Sequence, residues 1–435
     1  MIGMNLGLWN RGQTIDPNWW VTNDGRTLDL DALNWRMWDS ENGARAPNAL
    51  TVSRPSGRGR RNPLGVFEML ANNLIARDHD DAGTPLGLQI EPQVSYARVN
   101  SSMTGFVAGS PGTAPDGWSI PLPAGLTRTL SLVTTSGRPK IRAHYAGAPA
   151  ANFQFIAQFF PSLMVAGAPG QVWTYAARFS GQGAGLDAGT LGISMWQTDG
   201  ANALLWSSNT GLTAPVAHAR RGTTVTLGAG TAFLRDLAYT GVIPAGATCA
   251  FWIDIEAPQL TQTPYLPSEF LVGASTGVRY ADGVSMAIAD HIGAAEGGLY
   301  IECQPIDGGA VQILAQIDDG TDDERIVVRR TAGDAIEAEI VAGGVSQAVL
   351  ALGAHTGGAV VDVALGWAEN DVAARKSGGA LQTDTSAVAM PSGLTTLRLG
   401  SGVSIANPLN GHLRKVAAFP SRAIMTDTLI GSLVA

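Results

Sequence analysis

The chain has 435 residues, 45% of them hydrophobic, and a formal net charge of −8 at pH 7, which is enough material for several domains with cores of their own. No run of 18 apolar residues occurs, and the first residues lack the basic and apolar regions of a signal peptide, so we expect neither membrane insertion nor export. Residues 284–435 hold 17 acidic against 9 basic side chains, which argues against nucleic-acid binding.

The first 60 residues are rich in tryptophan and poor in aliphatic residues. They hold five of the chain's eleven tryptophans: Trp9, Trp19, Trp20, Trp35 and Trp38. Two interpretations are open, a small β-rich cap packed on the next domain or a segment that buries aromatic side chains in a partner. The stretch "RPSGRGRR" (54–61) predicts a solvated basic hinge. We assign residues 1–60 as an N-terminal attachment segment and 61–99 as a connecting β segment.

Residues 100–268 predict a first antiparallel β-sandwich. Strand-like stretches follow one another about every 10 residues, separated by Gly, Pro, Asn and Asp and without a helical period. Examples are "FQFIAQFF", "QVWTYAARFS", "LGISMWQTD", "TTVTLGAG" and "CAFWIDIEA". Trp173, inside the second of these stretches, is expected in the core.

After a linker at 269–283, residues 284–435 predict a second sandwich. In "GGLYIECQP" the residues Leu299, Ile301 and Cys303 alternate with polar residues, as in a half-buried antiparallel strand. Because Cys249 and Cys303 fall in different sandwiches, we expect no disulfide between them and assembly in a reducing cytoplasm.

The last predicted strand lies in "NPLNGHLRKVAAFPSRAI" (407–424). Asn410 and Gly411 are turn residues, and Pro420 ends the strand because it has no N–H for the ladder. Arg414 and Lys415 stand together between Leu413 and Val416, which breaks the alternation and predicts a β-bulge.

Three stretches between residues 71 and 435 resemble fibre or head-spike proteins of tailed phages and gene transfer agents. The first is similar in Asn73, Arg77, Asp78, Gly87, Leu88, Ile90, Glu91 and Pro92, while Val94, Ser95 and Tyr96 depart from the usual run. The second resembles the end of the jelly roll in those proteins, in Gln259, Leu260, Tyr265, Leu266, Pro267, Arg279, Ala281 and Asp282. The third resembles the end of a concanavalin-A-like (laminin-G-like) lectin domain, in Asn370, Asp371, Leu397, Gly400, Asn410, Gly411, Phe419, Pro420 and Arg422, with Thr426 as the cap of a last short helix.

The resemblance implies an all-β protein of two consecutive sandwiches, a carbohydrate-binding-like jelly roll at 100–268 and a concanavalin-A-like domain at 284–435. It also implies a place on the virion surface, other virion proteins and a host-surface glycan as partners, and allows a homotrimer. Because a fold does not determine a function, the sites are argued separately.

The stretch "FWIDIEA" (251–257) is compared with the Glu-x-Asp-x-Glu pattern of concanavalin-A-like glycosidases. Asp254 and Glu256 match, but Trp252 stands at the first acidic position, which removes the nucleophile of a retaining pair. We therefore predict no catalytic residue and a closing strand of the jelly roll, in which Asp254 is a candidate structural calcium ligand by the same resemblance.

The turn "DDGTDDE" (318–324) brings five acidic residues together. Carboxylate oxygens are the ligands that Ca²⁺ prefers, but the spacing is not that of an EF-hand. A solvated turn and a calcium site both remain open, and no other cofactor is predicted.

Sugar binding requires an aromatic ring for the apolar face of a pyranose and polar groups for its hydroxyls. The sequence places tryptophans beside loops at "APDGWS" and around "QTDGANALL". The candidate carbohydrate-binding residues are Asp116, Trp118, Trp196, Asp199 and Trp206, against the alternative that each tryptophan is partly buried in its own sandwich. The predicted function is non-enzymatic attachment of a particle to host polysaccharide; the alternatives are a capsule-degrading hydrolase and a purely structural decoration protein.

Overall fold

The computed structural model describes residues 24–435 apart from 48, 99–100, 136–137, 160–163, 187–188, 273–276, 294, 307–308 and 387–388. Over these residues the regular elements are antiparallel strands apart from one short α-helix and one 3-10 turn, which confirms the predicted all-β class. Within the same residues, no helix has the length and apolar character needed to cross a bilayer.

The strands fall into three groups along the chain. The strands before the first sandwich are β1 (Leu28–Asp31), β2 (Arg36–Asp39), β3 (Gly43–Arg45), β4 (Thr51–Ser53), β5 (Arg58–Arg61), β6 (Phe67–Leu70), β7 (Arg77–His79), β8 (Pro85–Ile90) and β9 (Val94–Tyr96). Those of the first sandwich are β10 (Trp118–Ser119), β11 (Leu126–Thr135), β12 (Arg138–Gly147), β13 (Phe153–Phe159), β14 (Val165–Ala166), β15 (Val172–Ala184), β16 (Thr190–Thr198), β17 (Leu204–Thr213), β18 (Val216–Thr226), β19 (Phe233–Ile243) and β20 (Cys249–Thr261). The remaining elements are β21 (Gly277–Arg279), β22 (Gly283–Ala287), β23 (Gly297–Pro305), β24 (Gln312–Asp318), β25 (Arg325–Arg330), β26 (Ala335–Ala342), β27 (Val345–Ala354), β28 (Val361–Ala368), β29 (Asp371–Lys376), β30 (Gln382–Asp384), β31 (Thr396–Leu399), a 3-10 turn (Val403–Ile405), β32 (Gly411–Phe419) and helix α1 (Asp427–Leu433).

The first sandwich packs two sheets against each other. One has the order β10-β13-β19-β16-β17 with β14 beside β19, and the other has the order β11-β12-β20-β15-β18 with β9 and β21 attached. The core between them contains Tyr145, Phe155, Phe179 and Phe251, and Trp173 is buried there as predicted.

The second sandwich also packs two sheets. One runs β3-β2-β1-β32-β23-β28-β29-β30 with β8 against β32, and the other runs β27-β26-β25-β24-β31-β22-β4. Leu299, Ile301 and Cys303 point into this core, which confirms their alternation. Cys249 is buried in the first core, so the two thiols belong to different sandwiches.

The end of the chain follows its sequence signals. On β32, Glu302 of β23 pairs with Lys415 and Cys303 pairs with Leu413, so Arg414 is the extra residue of the predicted bulge. The hydroxyl of Thr426 accepts a hydrogen bond from the N–H of Leu429 and caps α1, as predicted.

The N-terminal strands are part of the second sandwich, which corrects the predicted boundary at residue 60. β1 pairs with β32, and β4 pairs with β22. Leu28, Leu30 and Met37 are fully buried in the second core. The physical reason is that β1 and β4 cover strand edges that would otherwise carry unpaired backbone groups. A separate attachment segment is therefore wrong for residues 24–60, while residues 1–23 lie outside the described residues.

The predicted hinge "RPSGRGRR" is also wrong, because Arg54, Arg58 and Arg61 in it are buried. Arg54 and Arg58 belong to a group of five charged residues that we call the junction cluster: Arg54, Arg58, Glu91, Arg279 and Asp282. These side chains are at most 4% exposed. Asp282 accepts hydrogen bonds from Arg54 at 2.7 Å and from Arg58 at 2.6 Å. The cluster ties β5, the β8–β9 connection and the linker between the sandwiches into one unit.

The charges of the junction cluster are stabilised by one another. Burial alone would raise the pKa of the Glu91 carboxyl, but the attraction of Arg279 and Arg58 outweighs burial and lowers this pKa to about 2. Glu91 also accepts a hydrogen bond from the N–H of Ser268 at 3.0 Å. The motifs around Glu91 and Asp282, far apart in sequence, therefore meet in space.

Candidate functional site

The predicted sugar-binding tryptophans do not lie together. Trp118 is 7% exposed in the core of the first sandwich and sits on the edge strand β10, whereas Trp206 is 45% exposed on β17, at the opposite edge of the same sheet. Trp196 pairs with Ser207, and Trp206 pairs with Gln197, so the two rings lie on opposite faces of that sheet. Trp196 and Trp206 lie on strands rather than in loops. The ring of Trp118 is removed from solvent, so a binding role for Trp118 is wrong.

The two predicted aspartates organise turns. Asp199 accepts hydrogen bonds from the N–H groups of Ala201 and Ala203 and so closes the β16–β17 turn. Asp116 is exposed, and its carboxylate lies directly over Gly105, which has φ of 82°. Asp116 lies just before β10, whereas Asp199 lies in the β16–β17 turn at the other edge of the sheet, so the five predicted residues do not make one site.

A different surface of the first sandwich collects polar and aromatic side chains. It is the outward face of the sheet β11-β12-β20-β15-β18, which we call the polar face. Its residues form three rows across the strands: Thr129, His144, Trp252 and Gln182 in the first row; Ser131, Arg142, Asp254 and Ser180 in the second; Lys140, Glu256, Arg178 and Arg220 in the third.

The first row of the polar face is open to solvent. Thr129, His144 and Gln182 are exposed, and Trp252 between them is half-buried. Since neighbouring strands lie about 4.8 Å apart, the four side chains span roughly 14 Å. The guanidinium of Arg142 lies over the Trp252 ring at 4.0 Å from its centroid and holds the indole in place.

The second row positions charge beneath Trp252. Asp254 is fully buried and accepts hydrogen bonds from Arg142 at 2.7 and 3.0 Å, while the Lys140 ammonium lies 2.7 Å away. Burial would raise the pKa of Asp254, but its bonds to Arg142 and Lys140 outweigh burial and lower it. The carboxylate is therefore ionised and paired, so a metal ion there would have to displace two cations.

The third row is covered by the rest of the chain. Beside this row, the guanidinium of Arg138 lies 3.3 Å from the centroid of the Phe67 ring, which belongs to the hairpin β5–β6. Glu269, from the linker, contacts Arg178 at 2.6 Å and Arg138 at 3.2 Å. Burial opposes ionisation of Glu269, but the attraction of Arg220, Arg138 and Arg178 lowers its pKa to about 2. Only the first two rows are thus available to a ligand.

Three residues of this sheet are arranged in the order of a catalytic triad. The Ser180 hydroxyl lies 3.2 Å from Nδ1 of His218, and Nε2 of His218 lies 3.0 Å from Glu256. Ser180 is only 2% exposed, however, and its hydroxyl also bonds Asp254. Ser180 pairs with Asp254 in the ladder between β15 and β20, and the register between β15 and β18 shifts at Ser180. With Ser180 buried, this geometry lacks the substrate access that acyl transfer requires.

Carboxylates of the acidic turn (318–324) accept hydrogen bonds from other groups of the same chain. Asp318 is fully buried and bonds Arg398 at 2.7 and 3.0 Å. Glu324 accepts hydrogen bonds from the N–H groups of Gly343 and Ser392. Among the described residues, no three His, Cys, Asp or Glu side chains are grouped to hold a metal ion.

The second sandwich has a groove of about 320 Å³ on its sheet β27-β26-β25-β24-β31-β22-β4. Its lining includes Thr51, Ser53, Ser285, Arg398 and Ile405, and none of the described residues that line it is aromatic. Without a ring for the apolar face of a sugar, this groove is less suited to a glycan than the polar face.

Sequence reasoning missed the polar face, although it singled out "FWIDIEA". The usable signal was the alternation itself: Phe251, Ile253 and Ile255 point into the core, so Trp252 and Asp254 must point outward. A tryptophan on the solvent side of a central strand is a better candidate than a tryptophan beside a turn.

No family model and no curated protein matches this sequence. Among solved structures, it is similar to the CBM40 of the Ruminococcus gnavus IT-sialidase bound to α2,3-sialyllactose, at 18% identity and a TM-score of 0.29 over 33% of this chain and 84% of that one. The complex of that CBM40 with α2,6-sialyllactose matches at 16% identity and a TM-score of 0.29, over 33% and 85%. The CBM22-1–CBM22-2 tandem of Paenibacillus barcinonensis Xyn10C matches at 10% identity and a TM-score of 0.24, over 75% and 100%. These neighbours are carbohydrate-binding modules, and at such scores they carry no argument about this chain's ligand.

Proposed function

We propose that this protein is a non-enzymatic glycan-binding protein whose binding site is the open part of the polar face. The observation that carries the proposal is Trp252, held by Arg142 at the centre of a row of exposed polar side chains. A pyranose ring stacks its apolar face on an indole, while its hydroxyls bond groups such as His144 and Gln182. This surface offers both kinds of contact at one place.

The setting we propose is the surface of a phage-type particle that uses the glycan for attachment to its host. The support for this setting is the resemblance in residues 71–435 to fibre and head-spike proteins. Attachment to other virion proteins is assigned to residues 1–23, which contain Trp9, Trp19 and Trp20. The proposal also includes a homotrimeric state and assembly in the host cytoplasm.

Binding to purified capsular polysaccharides from a panel of bacteria tests the site. We expect the full chain to bind at least one polysaccharide and Trp252→Ala to weaken binding by about tenfold or more at an unchanged melting temperature. Trp196→Ala and Trp206→Ala are matched controls on the other sheet. If they abolish binding while Trp252→Ala does not, the site is on that sheet and the assignment to the polar face fails.

The rival function is a capsule-degrading hydrolase. Asp254 and Glu256 are each paired with cations, so neither is placed to serve as the protonated acid that glycoside hydrolysis requires. We expect no new reducing ends after prolonged incubation of a bound polysaccharide with the protein, and their appearance would overturn the non-enzymatic assignment. Unchanged adsorption of particles lacking the protein would instead favour a structural decoration protein.

A further inference from the structure

We propose that the polar face selects glycans that carry carboxylate groups, with Arg142 as the residue that contacts the carboxylate. This inference rests on the proposed function and goes beyond it by naming the class of ligand. The observations that carry it are the balance of charge on the polar face and the arrangement of the Arg142 guanidinium.

The polar face has more cations than anions. Among the described residues, its three rows hold the cations Lys140, Arg142, Arg178 and Arg220 against the acids Asp254 and Glu256, and the adjoining Arg138 and Glu269 add one charge of each sign. Arg61 and Asp81, which contact each other beside the third row, add one charge of each sign. The surplus is therefore two positive charges, although the whole chain carries −8.

The surplus positive charge lies on the part of the polar face that is open to solvent. Asp254 is the one acid of the first two rows, and it is fully buried beneath Lys140 and Arg142, both of which it contacts at 2.7 Å. One carboxylate cannot neutralise two cations, so one positive charge remains there. Lys140 is 6% exposed and Arg142 is 31% exposed, so the charge that a ligand meets is that of Arg142.

The Arg142 guanidinium is held ready for a second carboxylate. Its Nε and Nη2 bond the two oxygens of Asp254, and its central carbon lies 4.0 Å from the centroid of the Trp252 ring, so Nη1 is the nitrogen that remains for a ligand. A sugar bound on the first row beside Arg142 would place an acidic substituent within reach of this nitrogen. Because Arg142 is already ordered, little side-chain entropy is lost on binding.

A glycan array that contains uronic-acid-bearing, sialic-acid-bearing and neutral glycans tests the proposal on the full chain. We expect carboxylate-bearing glycans to dominate the bound set and their affinity to fall as the salt concentration rises. Arg142→Gln should weaken their binding by about 10- to 100-fold, because a hydrogen bond to a charged group is lost. Arg142→Lys keeps the charge and should retain more binding than Arg142→Gln.

The matched control is Arg329→Gln, which removes the same charge from the second sandwich, where Arg329 pairs with Glu337 and Glu339. It should leave the affinity unchanged. Equal binding of neutral and acidic glycans, with Trp252→Ala still harmful, would overturn the charge proposal and leave the proposed function intact. If no glycan binds the full chain, the proposed function itself fails. If the Arg142→Gln variant does not fold, the salt dependence of glycan binding by the unmodified chain still tests the charge proposal.

Discussion

Trp118 and Trp206 show how position in a sheet sets the role of a tryptophan. Trp118 is enclosed by the first core, whereas Trp206 is 45% exposed and lies against Gly228. We expect Trp118→Ala to lower the free energy of unfolding by about 3–5 kcal/mol, because it leaves a cavity in a packed core. Urea unfolding of the full chain measures this loss.

Trp206→Ala is the control for that measurement, since the same atoms are removed from a surface position. We expect a much smaller loss of stability than for Trp118→Ala. Equal losses for the two variants would mean that Trp206 is as much a core residue as Trp118 and that the exposed fraction of the side chain does not govern its contribution.

At the scale of elements, the strands β1 and β4 decide whether the second sandwich folds. Deletion of residues 1–62 removes Leu28, Leu30 and Met37 from the core. The burial of these three side chains contributes about 5–9 kcal/mol to the stability of the fold. This is comparable with the total stability of a typical domain, about 5–15 kcal/mol. We therefore expect the second sandwich to unfold or aggregate, as seen by circular dichroism and size-exclusion chromatography.

Deletion of residues 1–23 is the matched comparison, because it ends before β1. We expect this shorter deletion to leave both sandwiches folded and to abolish incorporation into particles. A soluble, cooperatively unfolding chain after deletion of residues 1–62 would show that β1 and β4 are dispensable. Incorporation of the chain lacking residues 1–23 would remove the attachment role from that stretch.

The turn between β24 and β25 is expected to hold its shape without calcium. The oxygens of Asp318 bond Arg398, and Asp319 bonds the hydroxyl and N–H of Thr321, so these carboxylates already have partners. We expect a calcium chelator to leave the melting temperature unchanged, as measured by differential scanning fluorimetry. A fall that added calcium reverses would establish a metal site at residues 318–324.

At the scale of the whole molecule, the junction cluster makes the free energy of unfolding depend on pH. The pKa of Glu91 in the folded chain is about 2, below its ordinary value of 4.5. Such a group contributes stability above pH 4.5 that is lost as the pH falls toward 2. We therefore expect the free energy of unfolding to decrease over this interval, by about 3 kcal/mol from Glu91.

The variant Glu91→Gln separates this effect from general acid denaturation. It should be less stable at neutral pH, because the buried Arg58 and Arg279 then have only Asp282 as a carboxylate partner, and its stability should depend less on pH between 4.5 and 2. Glu68→Gln is the control, since Glu68 pairs with Arg60 at the surface. Identical pH profiles for Glu91→Gln and the unmodified chain would contradict this role of Glu91.

Local features of this protein could be predicted from its sequence because they depend on near neighbours. The alternation of Leu299, Ile301 and Cys303, the bulge at Arg414 and the cap at Thr426 are all of this kind. Each follows from the period of a strand or from a side chain that bonds its own backbone.

Only the tertiary structure decided which distant segments meet. Thr27 bonds the carbonyl of Ala418, 391 residues away, and no local signal marks that pairing because all strand edges offer the same backbone groups. For the same reason the sequence alone predicts a solvated hinge at "RPSGRGRR". Only the tertiary structure places the carboxylates of Glu91 and Asp282 beside this stretch. Trp252 became the candidate site, rather than Trp118, because the packing of the two sheets determines which face of each strand meets solvent.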